Sequence, residues 1–312
     1  MSTPLVNVVV PVFGLIVLGF LARKLEILSE EGAKGLVLFV FFFAIPALLF
    51  RSLAQVELPE AIAWGFLLAF YAGSFTVYFA GMVAGRFLFH RSADHQAIFG
   101  MSAAFSNTVF LGIPIILTAF GPEATLPVFL IITFHSATFM PLTVGIIQGS
   151  RGTAVSAGEQ FRSLSLELLR NPIIMGLLLG LVVNLTGLGL PGPVDRVVEL
   201  LGGAAVPSAL FAMGASLAGY PLMGDVGPAV LLTALKLVIH PLVVWLVAVP
   251  LLGLSGMWVS VAVTMAAMPT GVNAYLFGAR YEAAAGVAAR TVFLTTLLSL
   301  VTISVLLVLL VG

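Results

Sequence analysis

Apolar runs of about 20 residues recur along this chain, separated by short polar clusters, from Leu5 to Leu310. At a rise of about 1.5 Å per residue, a helical run of that length matches the hydrocarbon core of a bilayer. The pattern predicts ten membrane helices, over residues 5–23, 33–53, 61–86, 97–119, 124–148, 172–190, 197–218, 226–252, 256–279 and 283–311. Two runs are interrupted. The fourth holds Asn107-Thr108-Val109-Phe110-Leu111-Gly112-Ile113-Pro114, and the ninth holds Met268-Pro269-Thr270-Gly271-Val272-Asn273. Proline removes a backbone donor and clashes with the preceding turn, while glycine tolerates the loosened backbone that follows. Within hydrocarbon, opened amides and carbonyls survive only where protein or a polar cavity satisfies them. One interruption in each half of the chain points to a transporter's binding site.

The longest polar connection, residues 149–171, divides the chain into a first five-helix repeat (1–148) and a second (172–312). Five is odd, so the second half enters the membrane inverted relative to the first. Ala44-Ile45-Pro46-Ala47-Leu48-Leu49-Phe50 matches Ala205-Val206-Pro207-Ser208-Ala209-Leu210-Phe211 at an offset of 161 residues. Pro114 and Pro269 are offset by 155, which supports an inverted repeat. Connections after odd-numbered helices carry Arg23, Lys24, Lys34, Arg86, Arg91, Arg151, Arg162, Arg170 and Arg280; those after even-numbered helices carry Arg51 and Arg196. The positive-inside rule then puts residues 149–171 in the cytoplasm and both termini outside. The first run lacks a basic leader and a small-residue cleavage site, so it reads as a retained helix.

Composition agrees. The chain is 61% hydrophobic and 8% charged, with no net charge and a mean hydropathy of +1.19. Too few charged residues are present to clothe a soluble core, and no basic run suits nucleic acid. A bacterial inner membrane is the expected location. The absence of cysteine removes disulfides and thiolate metal sites. No phosphate-cradling loop, metal-ligand spacing or catalytic triad is present, so the chain does not read as an enzyme and needs no cofactor.

A lone membrane proline is ordinarily a kink, and Pro46, Pro141, Pro207 and Pro241 read that way. Pro114 and Pro269 differ because polar residues flank them. If each helix opens at its proline, two half-helix N-termini with free amides meet near the midplane and suit a carboxylate. Asn107, Asn273 and Thr270 add neutral hydrogen-bonding groups beside Gly112 and Gly271. Ionisable residues within the runs are few: Lys236, His240, His135 and Arg290. Lys236 has no acidic partner at its depth. Either a substrate anion balances its charge, or it bonds helix-end carbonyls as structural glue. The histidine pKa lies near neutrality, so His135 and His240 are candidates for proton coupling, although such a residue as His135 is more often a hydrogen-bonded packing residue. Arg290 is placed to snorkel to the interface.

Ser106-Asn107-Thr108-Val109-Phe110-Leu111-Gly112-Ile113-Pro114 resembles the helix-four signature of the auxin efflux carrier family, which includes bacterial permeases for malate, malonate and related anions. Pro269-Thr270-Gly271-Val272, Phe277-Gly278-Ala279-Arg280-Tyr281 and Lys236-Leu237-Val238-Ile239-His240-Pro241 resemble its helix-nine and helix-eight patterns. The chain lacks the long central loop of many plant members and the aspartate they carry in helix three. The resemblance implies an all-α membrane protein of ten helices in two inverted repeats, with helices four and nine broken and crossing near the midplane. It further implies a scaffold of helices one, two, six and seven, a moving transport unit of the rest, and a homodimer formed through the scaffold. Asn107 and the Pro114 and Pro269 crossover become the anion site.

The expected function is secondary active transport of a small organic anion, a mono- or dicarboxylate, coupled to a proton or to sodium or uncoupled. A sodium-coupled carrier of bile-acid-transporter architecture is one alternative. A passive channel or ligand sensor on the same fold is another.

Overall fold

The computed structural model describes residues 3–311 apart from 59, 61, 154–157, 159–161, 163–165, 167–168 and 220–224. Most of the predicted connection 149–171 therefore lies outside the described residues. Each predicted apolar run carries helix. The helices are α1 (Thr3–Lys24), α2 (Glu30–Gln55), α3 (Gly65–Phe87), α4 (Ala93–Ala104), α5 (Thr108–Phe120), α6 (Pro122–Ser150), α7 (Pro172–Thr186), α8 (Gly192–Leu217), α9 (Val226–Leu251), α10 (Met257–Ala267), α11 (Asn273–Arg280) and α12 (Ala285–Val311). Among the described residues, six helices, α2, α3, α6, α8, α9 and α12, are long and apolar enough to cross a bilayer. The fourth predicted run is split into α4 and α5, and the ninth into α10 and α11.

The chain forms two compact units, each drawing on both halves of the sequence. The first comprises residues 1–62, 109–133 and 165–219; the second comprises 63–108, 134–164 and 220–312. A packing unit and a sequence repeat are different divisions of a chain.

Within the first unit, α1 packs on α8 and α7 packs on α2. Close approach is set by glycine: a Cβ at Gly19 would strike the carbonyl oxygen of Phe211, and one at Gly180 the carbonyl oxygen of Phe50. Gly19 and Gly180 are 161 residues apart, as are Phe50 and Phe211. The same contact is thus made twice at the offset read from sequence. At the end of α2, Arg51 grips Asp195 through two hydrogen bonds of 2.7 and 3.1 Å, joined by Gln55 at 3.0 Å. Asn184 caps the α2 carbonyls of Leu53 and the following Val56. A cavity of about 590 Å³ opens beside this pair, lined in part by Ser52, Glu123 and Glu199.

In the second unit α3 packs on α4 and α9. Tyr78, Phe99, Phe105 and Phe139 lie in its core, and the Tyr78 hydroxyl meets Thr143 Oγ1 at 3.0 Å. At one end Arg151 bonds both the Asp94 carboxylate and the Tyr281 carbonyl, each at 2.7 Å, tying the start of α4 to the end of α6 and the turn after α11.

One proline, Pro114, departs from the sequence expectation. The turns Val40–Ala44, Thr108–Gly112 and Leu235–Ile239 are π-helical, and each stops two residues before a proline: Pro46, Pro114 and Pro241. The wider turn moves the carbonyl that a proline ring would strike and uses a longer bonding interval, so helix continues through. Pro114 therefore belongs with the kinks. The fourth run actually opens at Phe105–Asn107, before Pro114, whereas the ninth opens at Met268–Val272, at its proline.

Candidate functional site

The two openings meet. Within the second unit Asn107 N–H donates to the Pro269 carbonyl and Gly271 N–H to the Phe105 carbonyl, each at 2.8 Å, forming an antiparallel bridge centred on Ser106 and Thr270. Extended backbone at these positions would otherwise leave amides and carbonyls unsatisfied in an apolar interior, and the bridge pairs them with each other. Gly271 is required here, because a Cβ would lie 2.8 Å from the Phe105 ring and 3.2 Å from the Ser106 carbonyl oxygen.

Side chains pin the bridge from both sides. Ser106 N–H donates to His135 Nε2 at 2.9 Å, and Thr270 N–H donates to Thr295 Oγ1 at 3.0 Å. The bridge relates Ser106 to Thr270 at an offset of 164, and the two pins, His135 and Thr295, are offset by 160, close to the 161 of the first unit. In that register Asn107 corresponds to Gly271 and Phe105 to Pro269. Pro269 accepts a hydrogen bond within the bridge, whereas Pro114 takes no part in it.

The ends of α4 and α10 are capped unequally. Thr270 Oγ1 donates to the Ser102 carbonyl of α4 at 2.7 Å. At the related position of α10 the Ala266 carbonyl receives Lys236 Nζ at 2.5 Å, and the same ammonium donates to Ser106 Oγ at 2.8 Å. Lys236 thus stands between hydroxyl and carbonyl where the other side has a direct bond. A cation at a helix C-terminus opposes the partial negative charge there. The third Lys236 hydrogen faces His240 Nδ1 at 3.0 Å; His240 Nε2 lies 2.9 Å from Ser74 Oγ, which donates to the Phe70 carbonyl at 2.8 Å. Lys236, His240 and His135 are wholly buried, and the buried polar side chains among the described residues include no carboxylate. Every acceptor of Lys236 is neutral. His135 sits among the rings of Phe70, Phe105 and Phe139, at centroid distances of 5.6, 4.6 and 5.2 Å.

The chain matches the family model described as "Membrane transport protein" over residues 4–307. It belongs to this family, the auxin efflux carriers. It is 29% identical over 302 residues to a protein of Rhizobium meliloti named "Putative malonate transporter", covering 96% of this chain and 93% of that one. An uncharacterised transporter of Methanothermobacter thermautotrophicus is 29% identical, with 95% of each chain covered. A mouse lysosomal cholesterol signalling protein is 26% identical over 66% of this chain and 25% of its own length. The auxin efflux carrier family consists of membrane transporters, not enzymes, and this chain is a multi-pass membrane protein.

Of the residues singled out from sequence, the structure gathers Asn107, Pro269, Thr270, Gly271, Lys236, His135 and His240 in one unit, around one bridge. Asn273 opens α11 immediately after it. Gly112 and Pro114 fall in the first unit, within the continuous part of α5. Ser74, Ser102, Ser106, Ala266 and Thr295 were not singled out. Serine and threonine are too common in membrane helices to stand out alone. The 161-residue offset applied to His135 lands one residue from Thr295 and was the available signal.

Proposed function

We propose that this chain is a secondary transporter of a small organic anion, built as two inverted five-helix repeats, with its anion site at the bridge between the broken helices. The observation that carries this reading is Lys236: a wholly buried lysine tied to both breaks whose bonding partners are all neutral. A buried charge without a counter-charge is costly, and a bound carboxylate supplies one. The doubled contacts, Gly19 with Phe211 against Gly180 with Phe50, and Ser106–His135 against Thr270–Thr295, support the inverted repeat. The name of the Rhizobium relative makes malonate the first substrate to test. Alternating access by motion of a transport unit against a scaffold, a homodimer through that scaffold, inner-membrane location and external termini follow from the family reading and the basic-residue pattern.

Each negative charge carried inward against an inside-negative potential costs about 2.3 kcal/mol per 100 mV. Uptake then requires a co-transported cation or an exchanged anion, whereas export runs on the potential. Flux of labelled malonate and other short organic acids into proteoliposomes, under imposed pH, sodium and voltage gradients, tests the reading. Saturable flux that follows one gradient is expected. Sodium dependence would favour the bile-acid-transporter-like alternative, non-saturating current a channel, and absence of flux under all three gradients would defeat transport of these anions.

A further inference from the structure

We propose that the Ser106 hydroxyl is the group that meets the anion, and that Lys236 acts through Ser106 without touching the ligand. The proposal rests on the anion-transport reading. As the ammonium that a bound anion favours, Lys236 has three hydrogens for its three partners: Ser106 Oγ, the Ala266 carbonyl and His240 Nδ1. Direct contact with a ligand would break one of these bonds. Ser106 Oγ accepts from Lys236 and has its own proton left to give, for which no acceptor is present among the described residues. Accepting a hydrogen bond from a cation strengthens the one donated onward.

Two further unspent groups belong to residues next to Ser106. His135 Nε2 accepts from the Ser106 amide, which can only donate, so Nδ1 carries the ring proton. That Nδ1 is buried and has no partner, and neither has Ser102 Oγ, one turn before Ser106. The hydroxyls at the second break itself are spent: Thr270 Oγ1 gives its proton to the Ser102 carbonyl, and Thr295 Oγ1 gives its own to the Thr291 carbonyl. A carboxylate accepts from several donors at once and is favoured by a positive charge behind them. A cationic ligand would be repelled by Lys236. The charge behind the Ser106 hydroxyl and its unspent proton make it the point of contact.

The test is binding of malonate, and of its uncharged diamide, to purified full-length protein: wild type, Ser106→Ala, Ser106→Thr, Lys236→Gln and the Ser106→Ala/Lys236→Gln double variant. Melting temperatures report folding. Ser106→Ala and Lys236→Gln are each expected to weaken malonate binding by about tenfold or more, while Ser106→Thr stays within about threefold of wild type. The double variant should be no more than about threefold worse than the weaker single one, because both changes remove one path. Diamide affinity should change by less than about threefold throughout, which a merely structural role for Lys236 would not produce. Ser106→Cys gives the same reading should the alanine variant fail to fold. Losses that multiply in the double variant would overturn the proposal, since Lys236 would then reach the ligand independently. Wild-type malonate affinity in folded Ser106→Ala protein would overturn it too. Failure of wild type to bind malonate or any short mono- or dicarboxylate would remove the anion-transport reading itself.

Discussion

The two breaks are built on one plan and differ in what they leave unused. At Thr270 the amide is held by a threonine, the hydroxyl caps a helix end directly, and the donor hydrogens are spent. At Ser106 the amide is held by a histidine, the hydroxyl reaches the opposite helix end only through Lys236, and unpaired polar groups remain nearby. A two-fold plan suffices to close the backbone of both breaks. The departures from it, Lys236 for a direct bond and His135 for a hydroxyl, gather charge and donor capacity on one side. On the proposed reading, the second break is the structural half of the crossover and the first its chemical half.

Replacing Lys236 and Thr270 by apolar residues of similar shape breaks the comparison most sharply. Lys236→Met should cost malonate binding about a hundredfold, while stability holds within about 1 kcal/mol, because relief of the buried ammonium's desolvation offsets the bond lost at the Ala266 carbonyl. Thr270→Val should do the reverse: it orphans the buried Ser102 carbonyl and lowers stability by about 1–3 kcal/mol, with affinity per folded molecule nearly kept. Chemical denaturation paired with binding isotherms reads both. A stability loss for Lys236→Met matching that of Thr270→Val would make the two halves equally structural.

Asn107→Ala comes next. Its backbone donates to the Pro269 carbonyl and so keeps the bridge in the alanine variant. A loss of about tenfold in affinity at unchanged membrane expression is expected from removing the amide side chain. Wild-type affinity would take that side chain out of the site.

The prolines give a smaller and more discriminating effect. Pro269→Ala removes the restraint at the point where the helix opens, and flux should fall several-fold as a continuous helix competes with the bridge. Pro114→Ala alters a position already accommodated by a π turn, and flux should change by less than about twofold. Equal losses would return Pro114 to the crossover.

That reversal marks where sequence stops being legible. Hydropathy located the apolar helices because bilayer thickness fixes their length, and Pro269 marked its break because proline and the opening coincide there. Pro114 misled because proline shows only that a backbone donor is missing. Whether the chain opens or widens by a π turn depends on neighbours distant in sequence. Lys236 was visible as an isolated charge, and both of its sequence readings find support in geometry: it bonds a helix-end carbonyl and it lacks a counter-charge. Its hydroxyl partner lies 130 residues away, and no local pattern encodes such a pairing.

The smallest effect tests whether the second unit is held at its polar end independently of the crossover. Asp94, in the first turn of α4, has a carboxyl that partial desolvation would raise. Hydrogen bonds from Ser92, from Arg151 and from the His95 amide outweigh this and hold it down at about 2. A folded-state value below the ordinary 3.8 means a contribution to stability present above pH about 4 and lost as pH falls toward 2. Asp94→Asn should therefore lower the melting temperature by a degree or two at neutral pH, since the pair is partly exposed. The gap to wild type should close between pH about 4 and 2, and malonate affinity at neutral pH should not move. A gap that persists at pH 2 would assign the loss to packing of Asn in place of Asp. A change in affinity at neutral pH would couple this end of the unit to the bridge.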